Sequence, residues 1–333
     1  MNETTKNNAL FDTAHQNVPA VGISKCILGH SVRNDGGHKL DRFIRDTLGQ
    51  FVTFIPVCPE VEMGLPIPRE PIRLEQHADA LPPRLIAPKS GTDWTRQMVD
   101  YCQKRLDELA HQNLCGYIVQ KKSPSCGMQR VKIFLPHQNT PVHLGTGLFT
   151  AALLREFPFL PVEENGRLND PGLRDNFIAR IFAYQRIRQL FVPGWTIGDL
   201  VKFHSREKYL LLAHDEKSYR ELGQLVAHAN DMSQAELEKS YPAIFFGGMK
   251  KTATRNKHTN VLQHIAGYFK NTTDTAESAE IQNTIAQYYS GLVPLVVPIT
   301  LLRHHVRKQR QSYLQEQTYL NPHPAELMLR NHA

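Results

Sequence analysis

Residues 93–127 read DWTRQMVDYCQKRLDELAHQNLCGYIVQKKSPSCG. In the first half of this stretch Trp94, Met98, Tyr101, Cys102, Leu106 and Leu109 recur at helical spacing. Gly116-Tyr117-Ile118-Val119 is then a strand-like run that leaves through Gln120 and reaches Ser125-Cys126-Gly127. The chain upstream follows the same plan. Val18 to Ile23 reads as a strand running out through Ser24-Lys25 into Cys26, and Arg42 to Leu48 as a short helix. Phe51-Val52-Thr53-Phe54-Ile55 reads as a second strand, ended by Pro56 and leading to Cys58. Pro66, Pro68, Pro71, Pro82 and Pro83 make the next section mostly loop. Strands alternating with helices predict an α/β domain with a mostly parallel sheet.

In an open parallel sheet the loops at the carboxyl ends of the strands gather along one edge, where ligands bind. Cys26, Cys58 and Cys126 each follow one of the three strands, so they can meet despite their separation in sequence. Cys102 lies on the apolar side of the helix and Cys115 at a helix–strand junction, and both read as buried thiols. Five cysteines are too few for a disulfide scaffold. The pattern alone leaves two readings of the three strand-end cysteines: core residues, or a shared metal or cluster site. It does not separate zinc from iron–sulfur, because no compact C-x-x-C motif is present.

The chain has 333 residues, 41% hydrophobic and 21% charged, which is enough for two domains of ordinary size and excludes a wholly disordered protein. Its longest apolar stretch, Gly291 to Leu302, is too short to span a bilayer and carries Pro294 and Pro298. Residues 1–16 hold Glu3 and Asp12 and no apolar run, so no secretory signal is visible and the expected compartment is the cytoplasm. The net charge of +7 points toward anionic partners. Lys250 to Lys270 contains Lys250, Lys251, Arg255 and Lys257 without one carboxylate, and Arg303, Arg307, Lys308 and Arg310 repeat that pattern.

Pro161 to Pro171, rich in acidic and turn residues, reads as a linker. Beyond it Leu173, Phe177, Ile181, Tyr184 and Ile187 share one helix face. Thr196 with Asp199, and Ser233 with Glu236, resemble capping boxes. Ile281, Ile285 and Tyr288 continue the helical spacing, and the second half is expected to be all-α. The expected division is a flexible tail at 1–17, a catalytic domain at 18–160, a linker at 161–172, a basic helical domain at 173–320 and a tail at 321–333.

Three ordered motifs carry a resemblance. They are Cys26-Ile27-Leu28-Gly29 with Val32-Arg33-Asn34-Asp35-Gly36-Gly37, then Pro56-Val57-Cys58-Pro59-Glu60 with Gly64-Leu65 and Pro68-Arg69, then Lys122-Ser123-Pro124-Ser125-Cys126-Gly127. Over about residues 18–160 the chain resembles the thiouracil desulfurase family. The second half, with His204-Ser205-Arg206-Glu207-Lys208-Tyr209-Leu210-Leu211, resembles a helical domain of formerly unknown function, and the fusion is similar to bacterial tRNA 4-thiouridine desulfidases. Asn34 departs from the family pattern, where an aromatic residue is expected, and leaves Asp35-Gly36-Gly37 intact.

The resemblance implies that Cys26, Cys58 and Cys126 hold a [4Fe–4S] cluster with one iron free of protein ligands, able to bind the sulfur of a thiocarbonyl. It implies that Glu60 moves the protons of an attacking water and that Ser123 shuttles a proton or holds the base. Each has a plainer rival: an ion pair of Glu60 with Lys25 or Arg69, and a turn started by Ser123. Asp35, Gly36 and Gly37 read first as a turn and second as substrate contacts. Arg69 and Arg73 read as solvated or structural, and His204 and His214 as packing or polar residues. The implied substrate is thiolated tRNA, gripped by Lys250, Lys251, Arg255, Lys257, Arg303 and Arg307. Free thiobases are the alternative, and a metal-stabilised RNA-binding adaptor without catalysis is the third reading.

Overall fold

A computed structural model describes residues 18–76, 82–135, 138 and 140–331. The expected tail at 1–17 lies outside the described residues. The chain divides into two compact units, Met1–Leu168 and Asn169–Ala333.

The first unit is built on a four-stranded sheet in the order β2-β1-β5-β8. Its strands are β1 (Ala20–Ser24), β2 (Thr53–Val57), β5 (Leu114–Val119) and β8 (Val162–Glu164). Every pair in it is parallel, with Val21 opposite Phe54 and Gly116, and Tyr117 opposite Val162. All six residues of β5 are buried, as the continuous apolar run of a central parallel strand requires. Pro56 is accommodated because β2 is an edge strand. Helices α2 (Thr95–Ala110) and α3 (Leu148–Glu156) pack together. The Phe149 ring lies 5.8 Å from Tyr117 of β5 and 6.2 Å from Tyr101 of α2.

A second sheet has the order β4-β3-β6-β7, made of β3 (Arg73–Glu75), β4 (Arg84–Ile86), β6 (Val131–Phe134) and β7 (Val142–Gly145). Only its β3–β6 pair is parallel. The proline-rich section read as loop thus carries two three-residue strands, too short to leave a periodic signal. The helix expected at 42–48 is a π-helical turn, Phe43–Thr47, followed by a 3₁₀ turn, Leu48–Gln50.

The linker reading of 161–172 needs correction. Val162–Glu164 is β8, and Glu163 and Glu164 are buried. Their charges are met: Arg167 Nε donates to Glu163 Oε1 at 2.7 Å, and the Met128 N–H donates to Glu164 Oε1 at 2.9 Å. Composition reads such residues as solvated, but an edge strand can bury carboxylates that have partners.

The second unit is helical throughout its described residues, from α4 (Pro171–Leu190) through α5 (Ile197–His214), α6 (Glu216–Ala227), α7 (Gln234–Met249), α8 (Arg255–Ala266), α9 (Thr275–Tyr289) and α10 (Val296–Lys308) to α11 (Ser312–Gln315). Both expected capping boxes form, Thr196/Asp199 on α5 and Ser233/Glu236 on α7. Phe177, Ile181 and Ile187 of α4 and Ile281, Ile285 and Tyr288 of α9 are buried as their spacing predicts. Among the described residues no helix is long and apolar enough to cross a membrane.

The expected tail at 321–333 is, up to Asn331, part of the fold. His323 Nε2 lies 2.7 Å from Asp175 Oδ1, and the buried Arg330 donates to the Tyr319 carbonyl at 2.6 Å. These contacts belong to a buried polar network. His258 Nδ1 is 3.0 Å from the Tyr319 hydroxyl, and His214 Nδ1 is 2.8 Å from the Lys251 carbonyl. Burial pushes His214 down to about 4 and His258 down to about 3. Burial alone would raise the Asp175 carboxyl, but the His323 hydrogen bond and the Arg330 charge outweigh it and hold the group at about 2.

Both histidines are therefore neutral in the folded chain and gain a proton near pH 6.5 once unfolded. The stability they lend is complete above that pH and falls as the pH drops toward 4 and then 3. Asp175 adds a second loss between the usual carboxyl range and about 2. Denaturant midpoints of the helical unit, followed from pH 7 to 3, should decrease steadily, and His258→Gln should flatten the profile.

Candidate active site

The carboxyl ends of β1, β2 and β5 meet at one edge of the parallel sheet. The order β2-β1-β5 means that the chain leaves β1 to one side for β2 and returns to its other side for β5. The crevice above such a reversal is where open α/β sheets bind ligands. A cavity of about 350 Å³ opens there, lined by Cys26, Cys58 and Cys126 together with Glu60, Arg69 and Ser123.

Each cysteine is placed differently. Cys26 sits in the 3₁₀ turn Lys25–Leu28, which closes on Gly29 at φ 97°. Its Sγ lies 4.0 Å from Gln120 Oε1 at the end of β5. Cys58 precedes the short helix α1 (Pro59–Glu62), and its N–H donates to Glu62 Oε1 at 2.8 Å. Glu62 Oε2 accepts in turn from the Tyr101 hydroxyl of α2 at 2.5 Å. Cys126 lies in a loop fastened to the first turn of α3, where the N–H groups of Leu148 and Phe149 donate to the carbonyls of Pro124 and Ser125 at 3.1 and 3.0 Å. The approach is close enough that a Cβ on Gly147 would stand 2.5 Å from the Ser125 backbone. Lys122, just before this loop, is held at φ 61°, a left-handed conformation uncommon for a lysine.

All five cysteines are free, and Cys102 and Cys115 are buried as expected. Burial, with the neighbouring Cys58, pushes the Cys26 thiol up to about 11. Burial also raises Cys58, and it raises Cys126 well above the ordinary thiol range. Three thiols in this setting stay protonated unless a cation displaces the protons. Among the described residues no three His, Cys, Asp or Glu side chains stand close enough to share a single metal ion. A cluster asks for a different spacing, because each thiolate takes its own iron and the sulfurs stand apart around the inorganic core.

Glu60 is held at both oxygens. Arg69 donates to Oε2 from Nη2 at 2.6 Å and from Nε at 3.1 Å, and the Ser125 hydroxyl donates to Oε1 at 2.9 Å. The pair is well buried, with the Arg69 side chain 4% and that of Glu60 14% exposed. Arg69 Nη2 also donates to the Val32 carbonyl at 3.0 Å. The rival reading of Glu60 as an ion-pair partner of Arg69 is thus present in the structure, inside the cavity and not at the surface. Ser123 Oγ accepts from the N–H groups of Ser125 and Cys126 at 3.2 and 3.1 Å, so it shapes the turn while its own proton stays available to the cavity.

Asp35, Gly36 and Gly37 are not among the residues that line the cavity. They form a turn in which Asp35 Oδ1 accepts from the Gly37 N–H at 2.9 Å, and that bond lowers the Asp35 carboxyl. The preceding Arg33 and Asn34 line the cavity instead. A short polar side chain here closes a turn on its own backbone.

The sequence reading missed Ser125, Glu62 and Gln120. Ser125 stands next to a ligand candidate and Glu62 four residues after one, and adjacency was the one signal available. The cavity wall is also strongly cationic, with Lys25, Arg33, Lys39, Arg69, Lys121 and Lys122 around the single carboxylate of Glu60.

In the second unit the six candidate tRNA-binding residues differ. Lys251 pairs with Asp215 at 2.8 Å, and Lys257 Nζ donates to the His214 carbonyl at 2.5 Å. Arg255 donates to the Tyr288 carbonyl at 2.7 Å and lies over the Tyr288 ring. Lys250 and Arg307 are exposed and Arg303 is half-buried.

Thiols gathered at the carboxyl edge of a parallel sheet, beside one anchored carboxylate, mark the first unit as an α/β domain with a thiol-lined candidate site. The chain belongs to the 2-thiouracil desulfurase family, whose sequence profile matches residues 21–165, while residues 208–324 match a family described as a protein of unknown function (DUF1722). Over 158 residues the chain is 31% identical to the uncharacterized protein YbgA of Escherichia coli (strain K12), covering 47% of this chain and 94% of that protein. Over 153 residues it is 30% identical to the uncharacterized protein YbbK of Bacillus subtilis (strain 168), covering 44% of this chain and 97% of that protein. A solved [4Fe-4S]-dependent thiouracil desulfidase, TudS, aligns with 48% of this chain and 99% of its own, at 27% identity and a TM-score of 0.39.

Removing Arg69 leaves the buried Glu60 carboxylate without its cation. Arg69→Ala should destabilise the first unit by about 3–5 kcal/mol in urea unfolding. Arg69→Ala/Glu60→Gln should recover much of that loss, since no unpaired buried charge remains.

Proposed function

We propose that the first unit removes sulfur from a thiolated uracil by a hydrolytic, non-redox reaction at a [4Fe–4S] cluster held by Cys26, Cys58 and Cys126, with 4-thiouridine in tRNA as the preferred substrate. The observation that carries this reading is the convergence of three thiols from three separate strand ends on one cavity that also contains Glu60. The residues fit such a group: three free thiols, Cys26 and Cys126 buried and Cys58 half-buried, beside a cationic wall suit an anionic inorganic core. When bound, the cluster supplies an iron free of protein ligands to take the thiocarbonyl sulfur.

The rest falls to the chain. Glu60, oriented through both oxygens, accepts a proton from water as its oxygen adds to the ring carbon that carries sulfur. An ionised carboxylate has about four acceptor sites, so the bonds from Arg69 and Ser125 leave room for that water. The Ser123 hydroxyl donates toward the base, and the lysines and arginines of the wall attract a phosphate-bearing substrate. Oxygen replaces sulfur on the carbon, sulfur departs as sulfide, and no electron is exchanged. The tRNA reading is supported by the carboxylate-free basic segments of the second unit. A cavity of about 350 Å³ has room for a free base, which favours free thiouracil as a second substrate.

Anaerobic reconstitution should load iron and sulfide, and Cys58→Ala should lose most of both. Incubation with thiolated tRNA should convert 4-thiouridine to an equal amount of uridine on nucleoside analysis. If free 2-thiouracil is turned over and tRNA is left intact, the free-base reading replaces the tRNA one. Glu60→Gln should retain the iron and lower turnover by about 10²–10⁴-fold. Unchanged turnover in that variant would remove Glu60 from the reaction, and no turnover of either substrate by the iron-loaded chain would leave only an RNA-binding adaptor.

A further inference from the structure

The two basic segments of the helical unit come together at an aromatic seam that nothing above uses. The first segment ends in the turn Gly267–Phe269 and Lys270, the second in α10 and Tyr313 of α11. Gln309 Nε2 donates to the Thr272 carbonyl at 3.1 Å, and the Phe269 and His305 rings lie 5.8 Å apart, so the segment ends are joined. At the surface of this joint the Tyr268 ring stacks on Tyr313, 5.6 Å between centroids and 24° from parallel. Lys208 Nζ of α5 sits 5.1 Å from the centre of Tyr313 and 5.4 Å from that of Tyr209. Tyr209 in turn reaches the Tyr268 hydroxyl at 3.4 Å.

One ring of this stack is left open. Tyr268 is 41% exposed, although its neighbours Tyr209, Tyr313 and Phe269 are buried or half-buried. Tyr268 is packed on Tyr313 and bonded by Tyr209, yet much of it stays open to solvent. Exposed cations stand nearby in the chain, Lys270 two residues after Tyr268 and Arg310 three before Tyr313, while Lys308 is engaged by Glu277. An exposed π-face on a stack that already carries Lys208, in a basic stretch of chain, matches a partner that offers flat π-faces on an anionic backbone, which is an unpaired nucleic-acid strand.

We propose that Tyr268, supported by Tyr313 and Lys208 and with Lys270 and Arg310 nearby in the chain, is the platform on which an unpaired base of RNA stacks. The proposal rests on the reading of the substrate as RNA, and it adds where that RNA is held and by what contact. It also moves the main contact away from Lys251, Arg255 and Lys257, whose side chains are tied to the fold.

The test uses the full chain, with single-stranded oligouridylate, duplex RNA of equal length and bulk tRNA as probes. Tyr268→Ala should weaken oligouridylate binding roughly tenfold without changing its salt dependence, because the lost contact is stacking and not charge. Tyr268→Trp should restore affinity, and its added indole fluorescence should be quenched as the oligonucleotide binds. Lys270→Glu should instead flatten the salt dependence. The duplex, whose bases are already stacked, should bind all aromatic variants alike. The proposal is overturned if Tyr268→Ala binds oligouridylate like the parent chain, if tryptophan fails to restore the loss, or if duplex binding falls equally. Binding is read without turnover, so a chain that stacks RNA here yet leaves both thiolated tRNA and free thiouracil intact would sink the desulfuration reading and keep this one.

Discussion

Parallel strand pairing is the constraint on which everything in the first unit depends. Because β1, β2 and β5 run the same way, residues far apart in sequence emerge along one edge, and Cys26, Cys58 and Cys126 line one cavity. An antiparallel arrangement would send alternate strand ends to opposite edges. The reversal of connection around β1 then opens the crevice that these thiols line. No short cysteine motif is needed once the sheet does this work.

The loops that carry the thiols are positioned by charge rather than by apolar packing. Glu62 holds the Cys58 amide, Glu164 holds the amide of Met128 beyond Cys126, and Glu60 bridges the second and third loops through Arg69 and Ser125. Sheltered carboxylates such as Glu60 and Glu164 are costly unless each finds donors, and here both do. Of these side chains Glu60 and Arg69 also line the cavity, so part of the polar scaffold belongs to the candidate site itself.

Much of this was legible in the sequence. The period-3.6 patterns of α2, α4 and α9, the capping boxes at Thr196 and Ser233, and the strand runs that precede each cysteine all correspond to observed elements. What escaped did so for physical reasons. β3 and β4 are three residues each and too short to show an alternation. Glu163 and Glu164 look solvated by composition, yet are buried because Arg167 and the Met128 amide wait for them. His323 and Arg330 look like tail residues because their partners, Asp175 and the Tyr319 carbonyl, are named by tertiary contact alone. Ser125 is invisible for the same reason, since a serine announces a hydrogen bond but not its acceptor.

The position of β8 has a practical bearing on how this protein is divided. A recombinant fragment stopped at residue 160, where the acidic stretch invites a cut, would strip β5 of its neighbour along Tyr117–Val119. The bare backbone of a fully buried, apolar strand is a template for pairing with other chains. Such a piece would clump, and the loop after Cys126 would swing loose from its carboxylate anchor. The severable module includes Glu164, and its seam lies between Leu168 and Asn169.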